Sequence, residues 1–112
     1  MNLSPEPLDG PMEEGRFKRR RNSLEIMSEM LEAAEQGSRK TTIMFKANLS
    51  YALLVQYLSI LKANEFLETA DDGKTFFPTR KGRTFVKEFR EIRELHESYA
   101  QKAVVIRRLL NQ

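Results

Sequence analysis

Residues 39–61, RKTTIMFKANLSYALLVQYLSIL, constrain the fold more than any other stretch of the chain. They predict a short helix over about Thr42 to Ala47, with Thr41 as its N-cap and with Ile43 and Met44 turned inward. A tight turn at Asn48-Leu49-Ser50 leaves the middle, apolar residue free to point into the core. Ser50 then caps a longer helix reaching about Ala63. Its buried stripe is Leu54, Leu58 and Leu61, spaced i, i+4, i+7. Asn64 suits the left-handed C-cap conformation. Two helices joined this way form a helix-turn-helix.

The flanking segments extend the pattern. Upstream, Asn22 is an N-cap with Glu25 three residues on, a variant of the capping box; the basic run before it can alternatively begin the helix. Leu24, Met27, Leu31 and Ala34 fall on one face, with Ile26, Met30 and Ala33 beside it, and Gly37 ends the helix. Downstream, Phe66-Leu67-Glu68-Thr69 and Lys74-Thr75-Phe76-Phe77-Pro78 flank Ala70-Asp71-Asp72-Gly73. Two short β-type segments around Asp-Gly predict a hairpin, and Pro78 stops its second strand. A hairpin directly after a helix-turn-helix is a wing.

Thr79 caps a final helix that continues towards Leu110. Phe85, Phe89, Ile92, His96, Tyr99, Ala103, Ile106 and Leu110 hold an unbroken heptad register, and no Pro or Gly follows Gly82. Such a helix is roughly 45 Å long at about 1.5 Å per residue, more than one small domain covers. The economical partner for its far end is the same helix of a second chain. Folding back on its own domain is the alternative. The expected dimer interface is Phe89, Ile92, His96, Tyr99, Ala103, Ile106 and Leu110. Flanking charges leave strand orientation open. A parallel pair favours Glu88 with Arg93 but opposes Lys102 to Arg107; an antiparallel pair matches Glu88 to Lys102 but brings arginines together.

With 112 residues, 40% hydrophobic and 31% charged, the chain suits one ordinary folded domain. It has no cysteine, which excludes a disulfide scaffold, a thiolate zinc site and a thiol nucleophile. No apolar run approaches the roughly 18 residues of a membrane span. Residues 1–16 have no apolar core of a signal peptide, so an intracellular, cytoplasmic location is expected. They are expected to form a disordered acidic tail, with residues 17–84 as the winged domain and 79–112 as the long helix. The net charge of +3 hides an asymmetry: the first fifteen residues hold four acids and no Lys or Arg, leaving 19 basic against 12 acidic residues, or +7, over residues 16–112. A basic body suits a polyanionic partner.

Catalysis finds no constellation here. His96, the single histidine, sits at a core position of the heptad register, where a seam residue is the simpler reading than a metal ligand. Asp71-Asp72 lie in a hairpin turn, where Asp serves turn chemistry. No phosphate-binding glycine loop is present. No enzyme activity, cofactor, metal or small-molecule ligand is expected.

The order of helix, helix-turn-helix, wing and long helix resembles the small archaeal winged-helix DNA-binding proteins that dimerise through a C-terminal coiled coil. The resemblance rests on Arg39-Lys40-Thr41, on Ile43-Met44-Phe45-Lys46-Ala47-Asn48-Leu49-Ser50-Tyr51, on Leu54 and Tyr57-Leu58, and on Thr79-x-Lys81-Gly82-x-x-Phe85 after the wing. It covers about residues 17–110. The helix-turn-helix block is fairly specific; the Thr-x-Lys-Gly block recurs in many winged helices. The fold implied is mostly α with a small β-hairpin wing, a winged helix-turn-helix with a long C-terminal coiled-coil helix. The function implied is double-stranded DNA binding as a homodimer, by a transcriptional regulator or a chromatin-associated protein. An antiparallel coiled coil and archaeal origin are implied by the resemblance alone.

Candidate DNA contacts are Arg39, Lys40, Thr41, Lys46, Ser50, Tyr51, Gln56, Lys74, Arg80 and Lys81. The run Arg19-Arg20-Arg21 is a further phosphate candidate. Gln56 can read adenine bidentately, Ser50 can hold a phosphate at the helix N-terminus, and Tyr51 can bond phosphate or pack within the motif. The third helix has no Arg, and its single Lys is Lys62, near its end. Affinity is therefore expected mainly from phosphate contacts, with modest sequence discrimination. Leu53, Val55 and Ile60 are expected to fill a groove between this helix, the wing and the last helix. Thymine-methyl contact or a protein partner are the alternatives, and the second would make the chain an interaction module.

Overall fold

The computed structural model describes residues 21–112. The expected acidic tail and the cations at positions 16, 18, 19 and 20 lie outside the described residues. The elements run α1 (Ser23–Ala33), β1 (Ser38–Arg39), α2 (Lys40–Lys46), α3 (Tyr51–Ala63), β2 (Leu67–Thr69), β3 (Thr75–Pro78) and α4 (Arg80–Leu110). The fold is thus mostly helical, with a small antiparallel sheet in the order β1-β3-β2.

Asn22 caps α1, its Oδ1 accepting the Glu25 amide at 2.8 Å. The buried face of α1 is Ile26, Met30, Leu31 and Ala34. Leu24, expected on that face, is 42% exposed. At 3.6 residues per turn it falls roughly 90° from the centre of the buried stripe.

Helices α2 and α3 end in the same way. Asn48 has φ 55°, the Leu49 amide donates to the Met44 carbonyl at 3.0 Å, and the Asn48 amide to Phe45 at 3.2 Å. This Schellman closure satisfies the last carbonyls of α2 and turns Leu49 into the core. At the end of α3 the Phe66 amide donates to Leu61 at 2.8 Å and the Glu65 amide to Lys62 at 3.0 Å. The left-handed residue there is Glu65, with φ 63°, and not Asn64 as the sequence suggests. The closure wants an apolar residue just after its left-handed position. Glu65 supplies that with Phe66; Asn64 would have placed charged Glu65 there.

The chain bends by 113° between α2 and α3, within the roughly 90–120° of a helix-turn-helix. Leu54 and Leu61 of α3 are fully buried, and Leu58 nearly so. The N-cap of α2 is Arg39, without a side-chain cap bond, and not Thr41. The cause is β1, a two-residue strand that holds Arg39 extended against β3, so the helix starts one residue later, at Lys40. In that ladder Ser38 faces Phe76 and Arg39 faces Thr75. On the other side of β3, Leu67 faces Pro78 and Thr69 faces Phe76.

The Thr79-x-Lys81-Gly82 block joins α3 to α4. The Thr79 hydroxyl donates to the Glu65 carbonyl at 2.7 Å and accepts the Gly82 amide at 3.0 Å. The Thr79 amide donates to Phe66 O at 3.0 Å. Lys81 Nζ donates to Asn64 O at 2.9 Å and stands 5.1 Å from the Phe66 ring centroid. Phe66 in turn meets Phe85, with ring centroids 5.1 Å apart. A Cβ on Gly82 would lie 2.2 Å from the Phe66 carbonyl oxygen, so this approach admits only glycine.

Helix α4 has 31 residues. Its first turns pack on α1 through Phe85, Val86 and Phe89, and Arg90 pairs with Glu32 at 2.9 Å. Beyond Phe89 every residue to Leu110 is exposed except half-buried Ala103. The described residues accordingly span 63 Å in length but only 28 by 26 Å across.

Candidate nucleic-acid interface

Strand pairing gathers the cations that the sequence scatters. Arg39 faces Thr75 across the ladder, which places it beside Lys74 at the tip of the wing. Lys40 follows at the start of α2, and its Nζ lies 5.8 Å from the Tyr51 ring centroid in the first turn of α3. Arg39, Lys40 and Lys74 are therefore exposed where β1, the start of α2 and the wing meet, with exposed Tyr51 beside Lys40. Thr41 is exposed one residue further on. Ser50 Oγ accepts the Leu53 amide at 3.2 Å, so its oxygen caps α3 while its proton stays available to an acceptor. Lys46 is exposed in the last turn of α2, about 9 Å along that helix from Lys40.

Gln56 is exposed and lies on the side of α3 opposite the buried leucine stripe. Exposed Ala52 and Ser59 share that side. Leu53 and Val55 flank it, 36% and 46% exposed, while Ile60 is half-buried. The groove expected to enclose Leu53 and Val55 is thus absent, because α4 packs chiefly against α1 and leaves the outer side of α3 open.

Arg80 and Lys81 stand apart from this set. The bond from Lys81 to Asn64 fixes it at the C-terminal end of α3, about 20 Å from Tyr51 along the helix axis. Its ammonium caps a helix there. Arg21 is also engaged: its guanidinium pairs with Glu29 and donates to the Ala47 carbonyl at 2.7 Å and the Asn48 carbonyl at 2.8 Å.

The wing tip carries acids as well as Lys74. Asp72 accepts the Lys74 amide at 2.8 Å, the Thr75 amide at 2.9 Å and the Thr75 hydroxyl at 2.7 Å. The Lys74 amide bond, then the two Thr75 bonds and the charge of Arg39, hold its carboxyl down at about 2, against an ordinary 3.8. A depressed folded pKa means that the wing gains from this group above the ordinary value and loses the gain as pH falls through about 2. The Lys74 and Thr75 amide resonances should therefore titrate with a midpoint near pH 2 in an acid series followed by NMR. A midpoint near 3.8 would show that the carboxylate does not hold the turn.

The exposure of Phe45 is not expected from its place in the helix-turn-helix block. It is 84% exposed on α2, yet it follows Ile43 and Met44, and nothing in the local pattern marks it as outward-facing. Of the expected dimer residues, Phe89 is buried by its own chain at 6% exposure, so Ile92, at 45%, is the first exposed one. Tyr99, Ile106 and Leu110 are 75%, 58% and 79% exposed; His96 is exposed and Ala103 half-buried.

Comparison with known proteins agrees with this geometry. No curated protein matches the chain. Among solved structures it is similar to Sso10a-2, a DNA-binding protein from Sulfolobus solfataricus, at 28% identity and a TM-score of 0.62, over 77% of this chain and 96% of that one. A model of the winged helix-turn-helix family matches residues 20–97. The resemblance to archaeal winged-helix DNA-binding proteins is borne out, and the chain belongs to the winged helix-turn-helix family.

Proposed function

We propose that this protein binds double-stranded DNA as a homodimer, mainly through phosphates, and acts as a transcriptional regulator or a nucleoid-associated architectural protein. The observation that carries the reading is the β1–β3 pairing, which sets Arg39 and Lys40 next to the wing that carries Lys74, with Lys40 beside Tyr51 in the first turn of α3. Helix α3 enters the major groove by its N-terminus, and the wing meets the neighbouring backbone. Gln56 is the base-reading candidate on a helix face otherwise made of Ala52 and Ser59, so discrimination between sequences is modest. The similarity to a DNA-binding protein supports the same reading.

Dimerisation rests on the far half of α4. Leu95, Tyr99, Val105, Ile106, Leu109 and Leu110 are each more than half exposed in the single chain. Apolar surface repeated over several helical turns is covered most simply by an identical helix.

Replacing Arg39, Lys40 and Lys74 together by alanine should weaken binding to all duplexes alike. It should also reduce the log–log salt slope by about 3 per chain, roughly one for each lost phosphate contact. An unchanged slope would remove these residues from the interface. The exposed Leu53, Val55 and Phe45 favour a second reading, a protein-interaction module. In that case the triple variant would keep its partner and the parent chain would ignore DNA.

A further inference from the structure

The outer side of α3 is short of charge. From Tyr51 to Leu61 the helix has no Lys, Arg, Asp or Glu. With Leu54, Leu58 and Leu61 buried, the helical repeat sets Ala52, Gln56 and Ser59 in one outward row, and all three are exposed. Leu53 and Val55 border that row on either side, 36% and 46% exposed. From Ala52 to Ser59 the row is about 10 Å long, close to roughly three base-pair steps of a duplex. Two features favour a duplex as its occupant. Lys40 stands at its N-terminal end, with Nζ 5.8 Å from the Tyr51 ring centroid, and no carboxylate on α3 repels a phosphate.

Base pairs differ in what their major-groove edges ask of a side chain. Guanine offers two acceptors, N7 and O6, and is matched by Arg or Lys; cytosine offers an amino donor and is matched by a carboxylate. The row has neither. Adenine offers a donor beside an acceptor, which one Gln carboxamide matches with its own acceptor and donor. Thymine offers a methyl group, which an apolar side chain covers. Gln56 set among Ala52, Leu53 and Val55 is that combination. A G·C pair beneath them would lose water from its polar edge to apolar side chains, with no partner in return. Ser59 accepts either pair.

We infer that α3 prefers A·T over G·C base pairs in the major groove, with Gln56 on adenine and Leu53 and Val55 against thymine methyls. This preference rests on the DNA-binding reading above and sets the base composition of the duplex that the site takes. Phosphate contacts still supply most of the affinity, so the preference is a several-fold bias and not a defined operator.

The test measures the full chain by fluorescence anisotropy, at one salt concentration, against duplexes of about 20 base pairs, two helical turns, built of alternating A·T, G·C or I·C pairs. Hypoxanthine lacks the amino group of guanine. An I·C pair therefore shows the A·T pattern in the minor groove and the G·C pattern in the major groove. The A·T duplex is expected to bind at least about fivefold tighter than G·C, the low end of one bidentate base contact, with I·C behaving like G·C. Uracil in place of thymine should weaken the A·T complex by about threefold through the lost methyl. Gln56→Ala should bring the ratio of A·T to G·C affinity towards unity, and an unchanged ratio would overturn Gln56 as the reader. Equal affinity for A·T and G·C would overturn the preference and leave the proposed function standing. I·C binding like A·T would place the bias in the minor groove and overturn its assignment to α3. Binding to none of the duplexes would overturn the DNA-binding reading as well, and would give the apolar borders of α3 to a protein partner.

Discussion

Gly82→Ala is expected to lower the stability of the fold by about 3 kcal/mol, read from urea denaturation. The new Cβ would sit 2.2 Å from the Phe66 carbonyl oxygen and 3.4 Å from Leu31 Cδ2. Relief demands that backbone shift, because the obstructing oxygen is main-chain. That same carbonyl accepts the Thr79 amide, and the neighbouring one, of Glu65, accepts the Thr79 hydroxyl. Moving Phe66 away therefore loosens the cap of α4 together with the end of α3. It also disturbs the Phe66–Phe85 contact that seats α4 on the domain. Gly73→Ala makes a useful comparison: no atom lies within 4 Å of its added Cβ, so only the strain of φ 70° acts. That variant should lose about 1 kcal/mol. Equal losses at the two positions would show that the close approach at Gly82 is not what holds α4 in place.

Tyr99→Asp with Ile106→Asp is expected to convert the proposed dimer to a monomer at micromolar concentrations in analytical ultracentrifugation. Both side chains are exposed in the single chain, so the winged domain itself should keep its helical content and its melting behaviour. Two carboxylates per chain placed in an apolar seam would meet the same charges from the partner, desolvated and unpaired. Loss of the dimer also removes the linkage between two winged helices. Affinity for a long duplex should fall by about 100-fold, the lower range of what linking two modest binding units supplies. A variant that stays dimeric would move the seam elsewhere. A monomeric variant with undiminished affinity would show that one winged helix suffices.

The parts of this fold that a reader of the sequence recovers are those set by local chemistry. Ser50 and Thr79 announce helix starts because a short hydroxyl side chain reaches its own third amide, as both do. Leu54, Leu58 and Leu61 announce a buried stripe because their spacing matches the helical repeat. The wing is legible because Asp72 and Gly73 carry the turn. What local chemistry does not reveal is set by distant partners. Ser38-Arg39 has no strand signal; it is a strand because Phe76 and Thr75 lie opposite it. That pairing displaces the start of α2 from the expected Thr41 cap. Asn64 looks like the left-handed residue, but the need for Phe66 to turn inward moves that conformation to Glu65.

The candidate interface divides along the same line. Arg39, Lys40 and Lys74 are recognisable as cations in the sequence, but their grouping comes from the β1–β3 ladder. Lys81 is equally recognisable as a cation, yet the fold employs it to cap α3. Arg21 belongs to a run that reads as a phosphate contact, and the structure turns its guanidinium onto carbonyls of the helix-turn-helix. Leu53 and Val55 read as groove-filling residues, and the placement of α4 against α1 leaves them exposed. In each case the residue type was visible and its neighbours were not.

The most direct test of the central claim is equilibrium binding of the full-length chain to random-sequence duplex DNA by fluorescence anisotropy, over ~50 to 300 mM salt. The account requires micromolar or tighter affinity at the low end that falls linearly on a log–log plot, with a slope worth several phosphates per dimer. No binding at ~50 mM salt, or binding indifferent to salt, would contradict it.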